Sequence, residues 1–188
     1  MDIGPVHMKD FSYYKECFST LHTARSKGFF APHKPLLLLS VIDLVERGVI
    51  RSNHIELSDD LVAAFKSNTA KYIGHSIVFS PNIGKPFYHM LHEPFWHLVP
   101  AEYSTELDIA ADSQIGYGTK SVSYAISTLR TNYRYAMIDI ELFELLQNED
   151  ARARLRVMLI SKYFSSQPSA IAPISLLPAC ISILTLIA

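Results

Sequence analysis

Apolar residues recur at helical spacing from the start of the chain. Phe11, Tyr14, Phe18 and Leu21 fall on one face with Lys15, Glu16 and Thr20 between them, which predicts an amphipathic helix over 9–25, ended by Ser26-Lys27-Gly28. Pro32 and Pro35 restrict the next stretch, and Pro35 suits the first turn of a helix over 35–47. The Leu36-Leu37-Leu38-Leu39 run in that helix is apolar nearly all round. It therefore predicts the buried centre of the domain, with Asp43, Glu46 and Arg47 reaching water and Gly48 past the end. Ile55-Glu56-Leu57 reads as a short strand. Ser58 before Asp59 and Asp60 is an N-cap signal for a helix through about residue 66.

Between 77 and 100 the pattern changes to short apolar runs. Ile77-Val78-Phe79, Phe87-Tyr88-His89-Met90-Leu91 and Phe95-Trp96-His97-Leu98-Val99, broken by Ser80-Pro81-Asn82 and Glu93-Pro94, predict a small antiparallel sheet, with a loop over 102–119 after it. Helices follow near 121–130, 139–147 and 149–163. The last carries Leu155, Leu159 and Tyr163 on one face and Arg152 and Arg156 on another. The expected architecture is α+β: one mainly helical domain with a small antiparallel sheet over 1–165, then an apolar tail over 166–188. Residues 170–188 carry no charge, but Pro173 and Pro178 interrupt them and no basic flank follows, so a truncated or non-native terminus is expected rather than a membrane anchor.

Composition narrows the function classes. With 188 residues, 49% apolar, the chain can bury one real core, and its 19% charged residues exclude a disordered or low-complexity chain. Cys17 and Cys180 form no Cys-x-x-Cys, so neither a disulfide framework nor a cysteine zinc site is readable; a reducing, cytoplasmic setting fits. Met1 to Met8 has no apolar run and cannot serve as a secretory signal. A net charge of −1 means that affinity for nucleic acid has to come from local clusters. Two clusters exist. His22 to Lys34 holds Arg25, Lys27 and Lys34 without an acid, and Leu61 to His92 holds Lys66, Lys71 and Lys85 without one. With Phe29, Phe30, Tyr72, Phe87 and Tyr88 interleaved, these segments read either as the border of a nucleic-acid groove or as solvated surface over buried aromatics.

Catalytic signatures are missing: there is no Gly-x-Ser-x-Gly, Walker loop or Gly-x-Gly-x-x-Gly. Cys17, spaced with Phe18 and Leu21, reads as core. His89-x-x-His92 has metal-ligand spacing, but in the expected strand i and i+3 point to opposite faces, so His75, His89, His92 and His97 read as structural or hydrogen-bonding residues and no metal or cofactor is expected. The inventory favours a binding module over an enzyme.

One longer stretch is more specific. Ala31-Pro32-His33-Lys34-Pro35-Leu36-Leu37-Leu38-Leu39, with Ile42-Asp43-Leu44 and Gly48-x-Ile50 behind it, resembles the opening signature of the sulfur-binding domain of McrA-type HNH restriction endonucleases. Ile55-Glu56-Leu57 through Phe65, Pro94-Phe95-Trp96-His97-Leu98, and Leu142-Phe143-Glu144-Leu145-Leu146 with Ala151-Arg152-Ala153-Arg154-Leu155-Arg156 follow in the same order, so the resemblance covers roughly residues 11–164. It implies a cytoplasmic reader of phosphorothioate-modified double-stranded DNA, the recognition part of a modification-dependent restriction endonuclease. Nothing after Phe164 supplies the histidines, asparagines or cysteines of an HNH domain, so binding without cutting is expected. Carried over by motif, Pro94 is the ring wall of the sulfur cavity, His33 and Lys34 approach the phosphate and the adjoining base edge, and Lys120 is the basic residue of the later loop. Arg25, Lys27 and Lys85 are expected on the DNA backbone. The position before the proline, aromatic in better-known members, is Glu93 here. Two other readings stand beside this one: a reader of a modified base, using Trp96 or Tyr88 to stack it, and a membrane-tethered regulatory fragment acting through its tail. Homodimerisation is left open.

Overall fold

The structure, a computed structural model, describes residues 9–23, 25–26, 29–74, 82–101 and 123–165, with the side chains of Arg25, Ser26, Phe29 and Phe30 outside that description. The expected 102–119 loop, the Ile77-Val78-Phe79 run, Lys27, Lys120 and the tail lie outside the described residues. What is described is a mainly helical α+β fold: seven helices and a three-stranded antiparallel sheet. Among the described residues no helix is long and apolar enough to cross a membrane.

The first helix, α1 (Phe11–Ser19), is shorter than predicted. Asp10 caps its start, Oδ1 accepting the Tyr13 amide at 2.9 Å, and at its end the Thr20 hydroxyl donates to the Glu16 carbonyl at 2.8 Å. Arg25, expected in the helix, instead lies in β1 (Arg25–Ser26), which pairs antiparallel with β2 (Phe29–Phe30). The central helix is α2 (His33–Glu46), and it begins two residues before Pro35 because a proline in the first turn gives up no hydrogen bond within the helix. From Lys34 to Val45 only Asp43 escapes full burial. Its end is a Schellman turn: Gly48 adopts φ 67°, its amide donates to the Val45 carbonyl at 3.0 Å, and the Val49 amide donates to the Leu44 carbonyl at 2.9 Å. Leu37 is 0% exposed, and its truncation to Ala would cost about 2–5 kcal/mol.

After β3 (His54–Ile55), α3 (Asp59–Ile73) starts where predicted, with the Ser58 hydroxyl accepting the Leu61 amide at 3.2 Å and Asp59 and Asp60 in the first turn. It runs past residue 66 to Gly74, whose φ of 65° suits a helix stop. Asn68 on this helix is buried, donating from Nδ2 to Ser40 Oγ at 3.2 Å and to Asp43 Oδ2 at 2.8 Å. The pair of helices is thereby tied through polar groups that would otherwise be costly to bury.

The predicted strand over Phe87 to Leu91 is a helix. α4 (Gly84–His89) continues into a 3-10 turn, Met90–His92. A five-residue apolar run fits either structure, and here Pro86 in the first turn and the packing against α2 select the helix. Gly84 is required: a Cβ there would run into the Tyr124 carbonyl. Of the two expected strands of this stretch that fall among the described residues, one is present, as β4 (Trp96–Pro100). Its neighbour, absent from the sequence reading, is β5 (Tyr133–Ile138), reached directly from α5 (Ile126–Asn132). The sheet order is β3-β5-β4, with Trp96 opposite Ile138 and a bulge at Val99/Pro100.

Two C-terminal helices, α6 (Ile140–Gln147) and α7 (Glu149–Tyr163), match the periodicity almost to the residue. Asn148 caps α7, and Leu155, Leu159 and Tyr163 are buried on one face. On another face, Arg156 donates to Asp43 Oδ1 at 2.8 Å and Glu46 Oε2 at 2.7 Å, locking α7 to α2. The Tyr163 hydroxyl donates to the carbonyls of Phe18 and Ser19, which closes the fold at the end of α1.

Candidate functional site

The uncapped start of α2 opens onto a cavity of about 330 Å³. Three segments line it: His22 and Thr23 after α1, Ala31, His33 and Lys34 at the start of α2, and Lys85, Pro86, His89 and His92 from α4 and the 3-10 turn. Because residues 84–92 are helical rather than extended, His89 and His92 share a face, with their rings stacked at 6.2 Å between centroids. The strand argument that separated them therefore fails. Even so, no group of three or more metal-ligating side chains is placed to hold a metal among the described residues.

Charge in the cavity is set by a buried ion pair. Lys34, expected to meet a phosphate, is only 7% exposed and donates to Glu93 Oε1 at 2.5 Å. Glu93 is 3% exposed, and the same oxygen accepts the His22 amide at 3.0 Å while Oε2 lies 3.3 Å from His22 Nδ1. The carboxylate before the proline thus turns inward and neutralises Lys34. Pro94 explains the turn: the residue before a proline is driven out of the helical region, and Glu93 at φ −93°, ψ 138° leaves the 3-10 turn there. Lys85 stays exposed at the rim and has no acidic partner among the described residues.

Burial and the neighbouring Lys85 ammonium hold the His33 imidazole below its ordinary pKa. Burial, His92, Lys34 and Lys85 do the same to His89. The Thr23 hydroxyl, also buried at the wall, has no hydrogen-bond partner among the described residues. Around these polar groups the walls are the Ala31 methyl, the Pro86 ring and the lysine stems. Such a site suits an anion of low charge with an apolar or polarizable part.

His33, Lys34 and Lys85 are therefore brought together. Pro94 is not: it sits exposed on the turn after Glu93 and does not line the cavity, where the proline is Pro86. The side chain of Arg25, and Lys27 and Lys120 entirely, lie outside the described residues. Sequence reasoning missed Pro86, Glu93 and the histidine pair as one constellation. The signal that leads to them is Pro86 read as a first-turn helix residue, which makes His89 and His92 neighbours. Trp96 and Tyr88, proposed to stack a flipped base, are 1% and 6% exposed and belong to the core. Phe87 is likewise core, packed edge-on to Trp96 at 5.6 Å.

A larger, open groove of about 580 Å³ lies between α1 and α7, lined by Phe11, Lys15, Arg154, Val157 and Lys162 among others. The Arg154 guanidinium already lies over the Phe11 ring at 4.1 Å, and no buried polar group converges there. The smaller cavity, where buried polar groups converge, is the better candidate. Compared with known proteins, the chain matches no protein-family model and no curated protein.

Proposed function

We propose that this chain binds phosphorothioate-modified double-stranded DNA and is the recognition domain of a modification-dependent restriction endonuclease, holding the modified linkage without cutting it. The observation that supports this most is the cavity between α2 and α4, where a rim ammonium, the first turn of α2 and apolar walls converge. A phosphodiester with sulfur in place of one non-bridging oxygen has this mixed character. Sulfur is larger, more polarizable and a poorer hydrogen-bond acceptor than oxygen, so facing it to Pro86 and Ala31 loses less hydration than facing an oxygen there. Selectivity then comes from differential desolvation, while Lys85 at the rim supplies the sequence-independent attraction to the backbone.

A mobility-shift comparison of one duplex with and without a single phosphorothioate tests the reading. Preference for the modified duplex is expected, and equal affinity for the two refutes it. Incubation of modified plasmid with the protein and magnesium or manganese tests the second half of the reading, since nicking would make it a nuclease.

A further inference from the structure

We propose that the cavity takes up its anion together with one proton, and that His89 is the residue that binds it. The inference rests on the reading of the cavity as an anion site and adds how its charge is matched. Lys34 and Glu93 cancel each other inside the wall, which leaves Lys85 as the one uncompensated fixed cation of the lining among the described residues, and Lys85 is exposed and screened by solvent. An anion entering the cavity gives up water and gains little charge in return unless a further cation forms. The histidines at the wall are the groups able to supply one.

Among them His89 is the best placed. The groups facing it among the described residues are Lys34 and His33 from α2, Lys85 and Tyr88 on its own helix, His92 from the following turn, His22 across the cavity, and Tyr124, whose ring lies 5.1 Å away. None of these is an acid, and Glu93, on the same turn as His92, is held by Lys34. In the empty cavity a proton on His89 therefore meets cations and burial, both of which oppose it. A bound anion reverses that balance by facing the same ring. His33 is worse placed, because it stands in the first turn of α2, where the helix dipole opposes a positive charge, whereas His89 is in the last turn of α4.

The linkage has a definite sign. An anion that raises the His89 pKa must bind more tightly as pH falls, by up to roughly tenfold per pH unit between the free and bound pKa values. Two probes whose own charge stays at one per linkage throughout the range are suitable: O,O-diethyl thiophosphate, and a short duplex with a single phosphorothioate. Titration calorimetry of the full chain from pH 8 to 5.5, in two buffers of different ionisation heat, reads affinity and proton uptake together. Expected are uptake approaching one proton and an affinity gain of about tenfold over that range, lost in His89→Gln and kept in His33→Gln whatever its absolute affinity. Flat affinity with no uptake, or a slope that survives His89→Gln, overturns the proposal. Uptake with the diester but no binding of the duplex leaves the proton coupling standing and removes the DNA reading. Duplex binding without uptake does the reverse, and no binding of either probe removes both.

Discussion

Replacing Glu93 with Gln removes one charge from a pair in which both partners are almost completely buried, and leaves Lys34 inside the wall without its counter-ion. The expected cost is large. Breaking a buried ion pair by deleting one partner typically destabilises by about 3–5 kcal/mol, because the remaining charge is neither solvated nor matched. Part of that figure is the His22 amide, which now donates at 3.0 Å to a carboxylate oxygen and would donate to a neutral amide oxygen instead. For a domain of this length about 3–5 kcal/mol corresponds to a fall in melting temperature of roughly 6–20 °C. Urea unfolding with an unchanged m-value is the assay of choice, since a changed slope would signal a denatured-state effect. The double variant Lys34→Met with Glu93→Leu replaces the pair by apolar groups of similar length and should recover most of the loss. These variants also decide what Lys34 is for. If Lys34 serves Glu93, Lys34→Met lowers stability and leaves the slope of log affinity against log salt unchanged. If either single variant costs under about 1 kcal/mol while Lys34→Met lowers that slope by about 0.9, the lysine is a phosphate contact after all and the ion-pair argument is wrong.

Lys85→Ala should give the opposite pattern: melting unchanged, because the side chain is exposed, and the salt slope on both modified and unmodified duplex reduced by about 0.9. Pro86→Ala should narrow the preference for modified over unmodified duplex by about 1–2 kcal/mol, while Pro94→Ala should leave it within about 0.5 kcal/mol; a selective loss from Pro94→Ala would move the sulfur to the outer face of the turn. His33 and His89 are both held below the ordinary histidine pKa, so each is neutral in the fold and protonates more readily in the unfolded chain. Melting temperature should therefore be flat above about pH 7 and fall as pH drops through about 6.5. The double variant His33→Gln with His89→Gln should melt with a shallower acid slope, and an unchanged slope would place the titration elsewhere.

The elements legible in the sequence were those whose signals agreed with one another. In α7 a cap at Asn148, acids in the first turn and a buried stripe of Leu155, Leu159 and Tyr163 all specify the same fifteen residues, and the helix is found at the predicted bounds. In α2 the four leucines and Gly48 likewise act together. The misreadings fell where length and periodicity compete. Phe87 to Leu91 is too short for its apolar content to distinguish strand from helix, and its contacts with α2 decide the matter, which no local pattern contains. Tyr133 to Ile138 does alternate, with Ala136 and Ile138 inward and Met137 outward, but it follows α5 without a turn residue to mark the change.

The candidate site shows the same division in sharper form. The Pro-His-Lys-Pro stretch located one wall, because a residue run at a helix start is a local feature. The pairing of Lys34 with Glu93 joins residues 59 positions apart, and charge counted along the sequence, which places the lysine in an acid-free segment, cannot bring the two together. Only the fold reveals that the two cancel. Once they do, the positive charge available to a ligand among the described residues of the lining is no longer that of Lys34 but that of Lys85 and of whatever protons the histidines accept. The ligand affinity of this cavity is thus a property of pH as much as of its lysines, and measurements at a single pH would assign to Lys85 alone an attraction that His89 shares.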